Sequence, residues 1–197
     1  LKNICREGWA ERIHYNSYLT ENAESRQPSL LSDHDKEAVK DALLKALLVE
    51  LEKSIRDLLA ETLQTIVIHD FPEKWHNLVP TLLNTIRSSK EGLHVHNALL
   101  AIRKVTKRYE YKAKEQRGPL NDIVKAAFPL LLPLAQQLST QNSLESAMML
   151  KQILKIFWSS TQFYLPGFEE PGIANELQPW FDIVSSCLKK PLPEAST

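Results

Sequence analysis

The stretch IHDFPEKW, residues 68–75, decides the fold because one helical pattern ends in it and the next begins. Upstream of it, apolar residues recur every three and four positions, which is typical of one buried face of a helix. Pro72 lacks an amide hydrogen and biases Phe71 away from helical backbone angles, so the first helix ends there. Glu73 then lies in the first turn of a second helix, and Phe71 and Trp75 pack beneath the corner.

Helical spacing recurs along most of the chain, and the alternation of period two that marks strands is almost absent. Two capping patterns, Ser32 with Asp35 and Asn142 with Glu145, predict further helix starts. We therefore expect an all-α protein with no sheet. Its expected parts are the end of a helix at 1–9, a loop at 10–31, helical pairs at 32–70, 73–109 and 119–164, a last helix at 175–190 and a tail at 191–197.

The helices are also expected to form repeats. Helix starts near Ser54, Leu93 and Leu144 lie 39 and 51 residues apart, close to the period of about 40 to 47 residues of HEAT repeats. Each pair has a broad apolar face that it cannot bury alone, which favours stacking. The pattern predicts a right-handed α-solenoid of about three to four helical hairpins, the first of them partial. A compact helical bundle is the alternative from periodicity alone.

Composition excludes several classes of protein. The 197 residues carry 24 basic and 24 acidic side chains, which argues against a dedicated nucleic-acid binder. Cys5 and Cys187 stand alone, so the sequence offers neither a disulfide framework nor a Cys-x-x-Cys site. No apolar run is long enough for a membrane span, and the first residues lack the charged region and apolar core of a secretion signal, so we expect neither feature.

Histidines and carboxylates offer only weak candidates for chemistry. His69 and Asp70 are neighbours, but adjacent helical side chains diverge and no Ser or Cys nucleophile accompanies them. We expect Asp70 to cap the corner by accepting from nearby backbone amides. His94 and His96 diverge for the same reason and lack further ligands at metal-binding spacing. We predict no cofactor, no metal and no enzymatic activity.

One stretch has the composition of a basic interaction patch. Tyr109 and Tyr111 interrupt a run of positive side chains that extends from Arg103 to Arg117, and basic residues with interleaved aromatics are able to grip single-stranded RNA. Solvated helix ends also favour Lys and Arg, and this simpler interpretation is preferred. The patch residues are Lys104, Lys107, Arg108, Lys112 and Lys114.

Three blocks of the sequence resemble the importin-β superfamily, the karyopherins. The first is HDFPEKWHNLVPTLL, in which Asp70, Phe71, Pro72 and Trp75 match the corner of an early HEAT repeat. KRYEYKAKEQRGPL at 107–120 and LKQILKIFWSSTQFYLP at 150–166 are similar to the branch of importin seven and importin eight and their fungal counterparts. The chain begins with Leu1 rather than Met, and we expect a first repeat to precede it.

The resemblance implies transport rather than catalysis. Karyopherins carry cargo through nuclear pores, shuttle between nucleus and cytoplasm, bind the GTP form of Ran and contact Phe-Gly repeats of nucleoporins. This branch is associated with basic cargo such as ribosomal proteins, and with histones in partnership with importin-β. An exportin of the same superfamily is the nearest alternative. An RNA-binding or scaffolding helical repeat protein is a further one.

The family also implies where Ran binds. Second helices of the repeats line the concave face, and in this chain they begin near Ser32, Glu73, Leu120 and Asn175. The polar residues opposite the apolar stripes of the first two are the candidate Ran contacts: Glu37, Asp41, Asn77 and Thr81.

Overall fold

Seven α-helices account for most of the described chain. The computed structural model describes residues 3, 5, 8, 9, 12–15, 24–27, 31–162 and 173–190. Its elements are β1 Arg12–Tyr15, β2 Glu24–Gln27, α1 Asp33–Val49, α2 Lys53–Asp70, α3 Leu78–Ser88, α4 Gly92–Lys107, a 3-10 turn Lys114–Gln116, α5 Gly118–Thr140, α6 Leu144–Thr161 and α7 Ile173–Lys189. The all-α class is confirmed. No helix among these residues is both long and apolar enough to cross a membrane.

The expectation of no sheet is wrong at one place. Within the segment 10–31, which was expected to be a loop, β1 and β2 pair antiparallel with Arg12 opposite Gln27 and Tyr15 opposite Glu24. A polar segment without helical periodicity still has backbone donors and acceptors to satisfy, and pairing two short strands satisfies them. The expected tail at 191–197 lies outside the described residues.

The chain divides into two compact units, and residues Leu1–Trp75 form unit 1. In unit 1, α1 and α2 pack against each other. The Ser32 hydroxyl begins α1: its oxygen accepts from the Asp35 amide at 3.1 Å, and it donates to the Asp35 carboxylate at 2.6 Å. Leu47, Leu63 and Ile66 are fully buried in this unit. The start of α1 was thus predicted from its capping pattern.

Unit 2, residues His76–Thr197, is built of two helix layers. α5 packs against α3, α6 and α7, whereas α4 packs against α3 and α6. α3, α5 and α7 therefore form one layer, and α4 and α6 form the other. This alternation is the packing expected of consecutive HEAT-type helix pairs, in which equivalent helices stack on one another. Aromatic rings of Phe128, Phe157 and Trp180 meet with centroids 4.7 to 6.0 Å apart and join α5, α6 and α7.

Two helix starts differ from those expected. α3 begins at Leu78 rather than near Glu73, because the backbone from Phe71 onward forms turns instead. In these turns the Lys74 amide donates to the Asp70 carbonyl at 2.7 Å, and the Phe71–Pro72 peptide is cis. At α6 the cap is Ser143, whose hydroxyl oxygen accepts from the Ser146 amide at 3.1 Å, and not Asn142. A hydroxyl directly before the first helical residue reaches that amide without a shift of the helix start.

Candidate partner-binding surface

The side chain of Asp70, at the end of α2, turns into unit 1. Its Oδ1 accepts a hydrogen bond from the Trp9 indole nitrogen at 2.9 Å, and its Oδ2 lies 3.1 Å from the Lys40 ammonium. Both partners are distant in sequence and neither is a backbone amide of the corner. The expectation that Asp70 bonds local amides is therefore replaced by a buried ion pair between α2 and α1.

Lys40 is the centre of this cluster although its side chain is only 1% exposed. Its ammonium donates to the Lys74 carbonyl at 2.7 Å and lies 2.6 Å from the Glu37 carboxylate. It also lies 5.8 Å from the centroid of the buried Trp75 ring. A buried charge is tolerated only with such a complete set of partners. Lys40 thus ties α1 to the end of α2 and to the turn after it.

This geometry leaves His69 and Asp70 without a shared reactive position. His69 is exposed, whereas Asp70 is buried and committed to Trp9 and Lys40. A general base must reach the proton that it abstracts, and this carboxylate faces the interior of unit 1. Phe71 and Trp75 are also buried, while Pro72 is half-buried. The corner residues thus hold the fold together and present little surface to a partner.

The two histidines of α4, His94 and His96, each lie beside a polar side chain. The His96 Nδ1 lies 3.1 Å from the Asn97 side-chain oxygen in a buried position. The His94 Nδ1 lies 3.4 Å from the Ser89 hydroxyl. Within the described ranges, no group of three or more His, Cys, Asp or Glu is placed to hold a metal ion.

The candidate Ran contacts lie on exposed positions of their helices. Glu37 and Asp41 are one helical turn apart on α1 in unit 1. Asn77 precedes α3 as its N-cap residue without a side-chain capping bond, and Thr81 follows in the first turn. In unit 2 these two side chains are exposed. Each pair is accessible on its own unit.

The basic patch is less suited to RNA than its composition indicated. Lys107, Lys112 and Lys114 are exposed, and Lys104 and Arg108 are half-buried. Tyr109 is only 4% exposed and has no face free for a base, whereas Tyr111 is 76% exposed. The aromatic interleaving required for stacking along a strand is therefore reduced to one ring.

Arg117, at the end of the predicted basic run, is a structural residue. It is 1% exposed, and its Nη2 donates to the Ser160 carbonyl at 2.8 Å. Burial lowers the pKa of its guanidinium. Because Ser160 lies near the end of α6, this bond ties the start of α5 to α6 within unit 2. Arg117 is consequently unavailable to a partner.

Comparison with known proteins places these observations in a family. A family model described as Exportin 1-like protein matches residues 52–167, the part of the chain from α2 to α6. The Importin beta-like SAD2 homolog of Arabidopsis thaliana is 30% identical over 92% of the chain and 17% of its own length. Importin-8 of Danio rerio is 29% identical over 78% of the chain and 16% of its own length.

Exportins match as well. Exportin-2 of Dictyostelium discoideum is 25% identical over 88% of the chain and 18% of its own length. The chain therefore spans less than a fifth of the length of these curated relatives. No solved structure matches it significantly.

Proposed function

Because the chain belongs to the Exportin 1-like protein family of the importin-β superfamily, in the branch of importin seven and importin eight, we propose that it forms part of a nuclear import receptor. The observation that carries this proposal is the family match across residues 52–167, which covers helices of both units. The receptor shuttles between nucleus and cytoplasm and binds Ran in its GTP form, Phe-Gly repeats of nucleoporins and basic protein cargo. It has no enzymatic activity of its own.

Such a receptor works by differential binding. A surface that contacts the GTP-ordered switch segments of Ran has a higher affinity for that state than for the GDP state. If binding of Ran-GTP weakens binding of cargo, then binding of cargo weakens binding of Ran-GTP to the receptor by the same factor. Neither step requires a nucleophile or a metal, which agrees with the burial of Asp70 and its contacts with Trp9 and Lys40.

The exposed acids of α1 are the part of this surface that electrostatics supports best. Asp41 and Glu37 share one face of the helix, and Glu37 also contacts the Lys40 ammonium. Exposed carboxylates attract a basic patch on an approaching protein and raise the association rate. Asn77 and Thr81 add neutral hydrogen-bonding groups on unit 2. We assign these four residues to the Ran contact as part of the proposal.

Asp41→Lys tests the assignment. Asp41 is exposed and takes no part in the ion pairs that Lys36 and Lys40 form on α1. We expect the variant to bind Ran-GTP about fivefold more weakly, which corresponds to about 1 kcal/mol, with most of the loss in the association rate. The matched control is Asp122→Lys on the exposed side of α5. Equal dissociation constants for the two variants would remove α1 from the Ran contact.

The direction of transport is tested with cargo. An import receptor releases cargo when Ran-GTP binds, whereas an exportin binds cargo together with Ran-GTP. We expect a labelled histone, as a basic cargo, to dissociate from the receptor when Ran-GTP is added and to remain when Ran-GDP is added. Tighter histone binding with Ran-GTP would establish the exportin alternative, which the Exportin-2 relatives represent.

A further inference from the structure

An open groove of about 500 Å³ runs along α6 in unit 2. Its other walls are the end of α5 and the second half of α7. The floor is apolar, with Leu138, Leu150, Leu154 and Val184 among its lining residues. Trp158 lines the same groove and leaves 60% of its surface exposed. An exposed tryptophan beside an apolar groove marks a surface built for a partner rather than for water.

Positive charge surrounds this apolar floor. Lys151 and Lys155 line the groove from α6, and Lys190 lines it from the end of α7, where its ammonium donates to the Ser139 carbonyl. Burial and then repulsion from Arg103, Lys151 and Lys107 lower the pKa of Lys155. In the part of the chain that the structure describes, no carboxylate lies within 4.0 Å of the Lys151 or Lys155 ammonium. Positive charge is therefore concentrated beside the groove without a compensating acid.

The volume and length of the groove limit the size of the molecule that it binds. Ligand sites of about 300 to 1,000 Å³ hold a few side chains and not a folded domain. The α6 wall from Ala147 to Trp158 is about 17 Å long at the helical rise, the length of about twelve helical residues. The occupant is accordingly a short amphipathic segment.

We propose that this groove binds an acidic amphipathic segment of a partner protein. The apolar side chains of the bound segment lie between α6 and α7 against Leu154 and Trp158, as in helix-in-groove recognition. Its carboxylates lie beside Lys151 and Lys155, where they replace repulsion among positive charges by attraction. The surface differs from the proposed Ran contacts, which lie on α1 and at the start of α3. A basic cargo is repelled from it.

A protein segment fits this lining better than a nucleic acid does. A nucleic-acid strand presents a charged backbone to the surface, and its binding requires polar partners along the whole groove. Here the floor is apolar, and among the lining residues that the structure describes Trp158 is the one aromatic ring. An amphipathic segment satisfies both features, because its apolar side meets the floor and its acids meet the lysines.

The test uses the whole chain and a fluorescent peptide of about twelve residues, the length of the α6 wall, with Leu and Phe on one helical face and Glu on the other. We expect saturable binding by fluorescence anisotropy. Lys151→Glu/Lys155→Glu should weaken it at least about tenfold, and Trp158→Ala about fivefold or more. The matched controls are Lys45→Glu/Lys125→Glu and Phe181→Ala, which alter exposed positions outside the groove and should bind as the unaltered chain does.

Cys187 provides a second readout that needs no substitution. It lines the groove and is partly exposed, whereas Cys5 is buried. The acidic peptide should slow alkylation of Cys187, and a peptide with Lys in place of Glu should not.

Four results would overturn the proposal. One is equal affinity for the Lys-substituted peptide. The second is equal affinity for a neutral Phe-Gly peptide, which would assign the groove to nucleoporin repeats. The third is binding of single-stranded RNA that is tighter than peptide binding and is lost in Lys151→Glu/Lys155→Glu. The fourth is self-association that Trp158→Ala abolishes, which would make a second copy of the chain the occupant.

Discussion

Lys40 illustrates how one residue fixes a local arrangement. Its ammonium contacts a carboxylate of α1, the Asp70 carboxylate at the end of α2 and a backbone carbonyl of the following turn. Removing both charges together is tolerated far better than removing one, because an unpaired buried charge keeps its full desolvation cost. The ion pair between Lys40 and Asp70 therefore determines which residues meet at this corner, and it adds less to the net stability of unit 1.

Single substitutions in the pair should be severe. We expect Asp70→Asn or Lys40→Met to lower the free energy of unfolding of unit 1 by about 3 to 5 kcal/mol, and the double variant to lose much less than the sum. Urea unfolding followed by tryptophan fluorescence measures this, since Trp9 and Trp75 lie beside the pair. Lys45→Met, an exposed position on the same helix, is the control. Additive losses would show that the two charges are not coupled.

The effect of Lys155 on the stability of unit 2 should depend on pH. We expect Lys155→Gln to stabilise unit 2 by about 0.3 kcal/mol at neutral pH, because Lys151 and Lys155 form a like-charged pair one turn apart. Since folding lowers the pKa of Lys155, the unfolded chain binds more protons, and stability rises as the pH approaches the ordinary lysine value of 10.5. Thermal unfolding at neutral and at alkaline pH measures this gain in stability. We expect Lys155→Gln to lose the part of the gain that comes from Lys155, and Lys125→Gln to retain it. Identical pH profiles for the two variants would contradict the account.

Sequence patterns predict some of these residue roles and miss others for a physical reason. Lysine side chains are mostly exposed, yet Leu43, Leu44 and Leu47 follow Lys40 at the spacing of one helical face. That spacing was the available signal that Lys40 is buried. Its partner Asp70 was not identifiable, because a contact across 30 positions depends on how two helices pack. The hydrogen bond from Trp9 to Asp70 was not predictable for the same reason.

At the scale of helices, capping chemistry predicts starts and tertiary contacts change them. Ser32 begins α1 as its pattern predicts, since a local side chain satisfies a local amide. α3 starts later than Glu73 because Trp75 is buried and Lys74 gives its carbonyl to Lys40. These are contacts within unit 1 that no local pattern contains. In the strand pair, Arg12–Tyr15 alternates polar and apolar residues over only four positions, and its partner Glu24–Gln27 has no apolar residue that would continue the pattern.

The docking of α7 should depend on one aromatic side chain. Trp180 is buried and stacks on Phe157 with centroids 4.7 Å apart. We expect Trp180→Ala to destabilise unit 2 by about 3 to 5 kcal/mol and to increase hydrogen exchange in α7 before other helices of the unit. Phe181→Ala, at the exposed neighbouring position, should have little effect. Uniform exchange across unit 2 in Trp180→Ala would show that α7 is not held separately.

For the whole molecule, the family was predictable from sequence and the partner surface was not. The resemblance rests on the corner residues Asp70, Phe71, Pro72 and Trp75. A helix corner is recognisable from sequence because it requires particular residue types at neighbouring positions. The resemblance to the importin-β superfamily and to its branch is confirmed by the match over residues 52–167 and by the Importin-8 relatives. A surface that binds Ran combines residues from several helices, so Glu37 and Asp41 stay predictions. The groove along α6 similarly combines three helices.

The central claim is that this chain forms part of a Ran-regulated transport receptor. The most direct test is to measure binding of Ran-GTP and Ran-GDP to the chain. We predict that the chain binds Ran-GTP with clearly higher affinity than Ran-GDP. Equal binding of the two nucleotide forms, or no binding of either, would contradict the account.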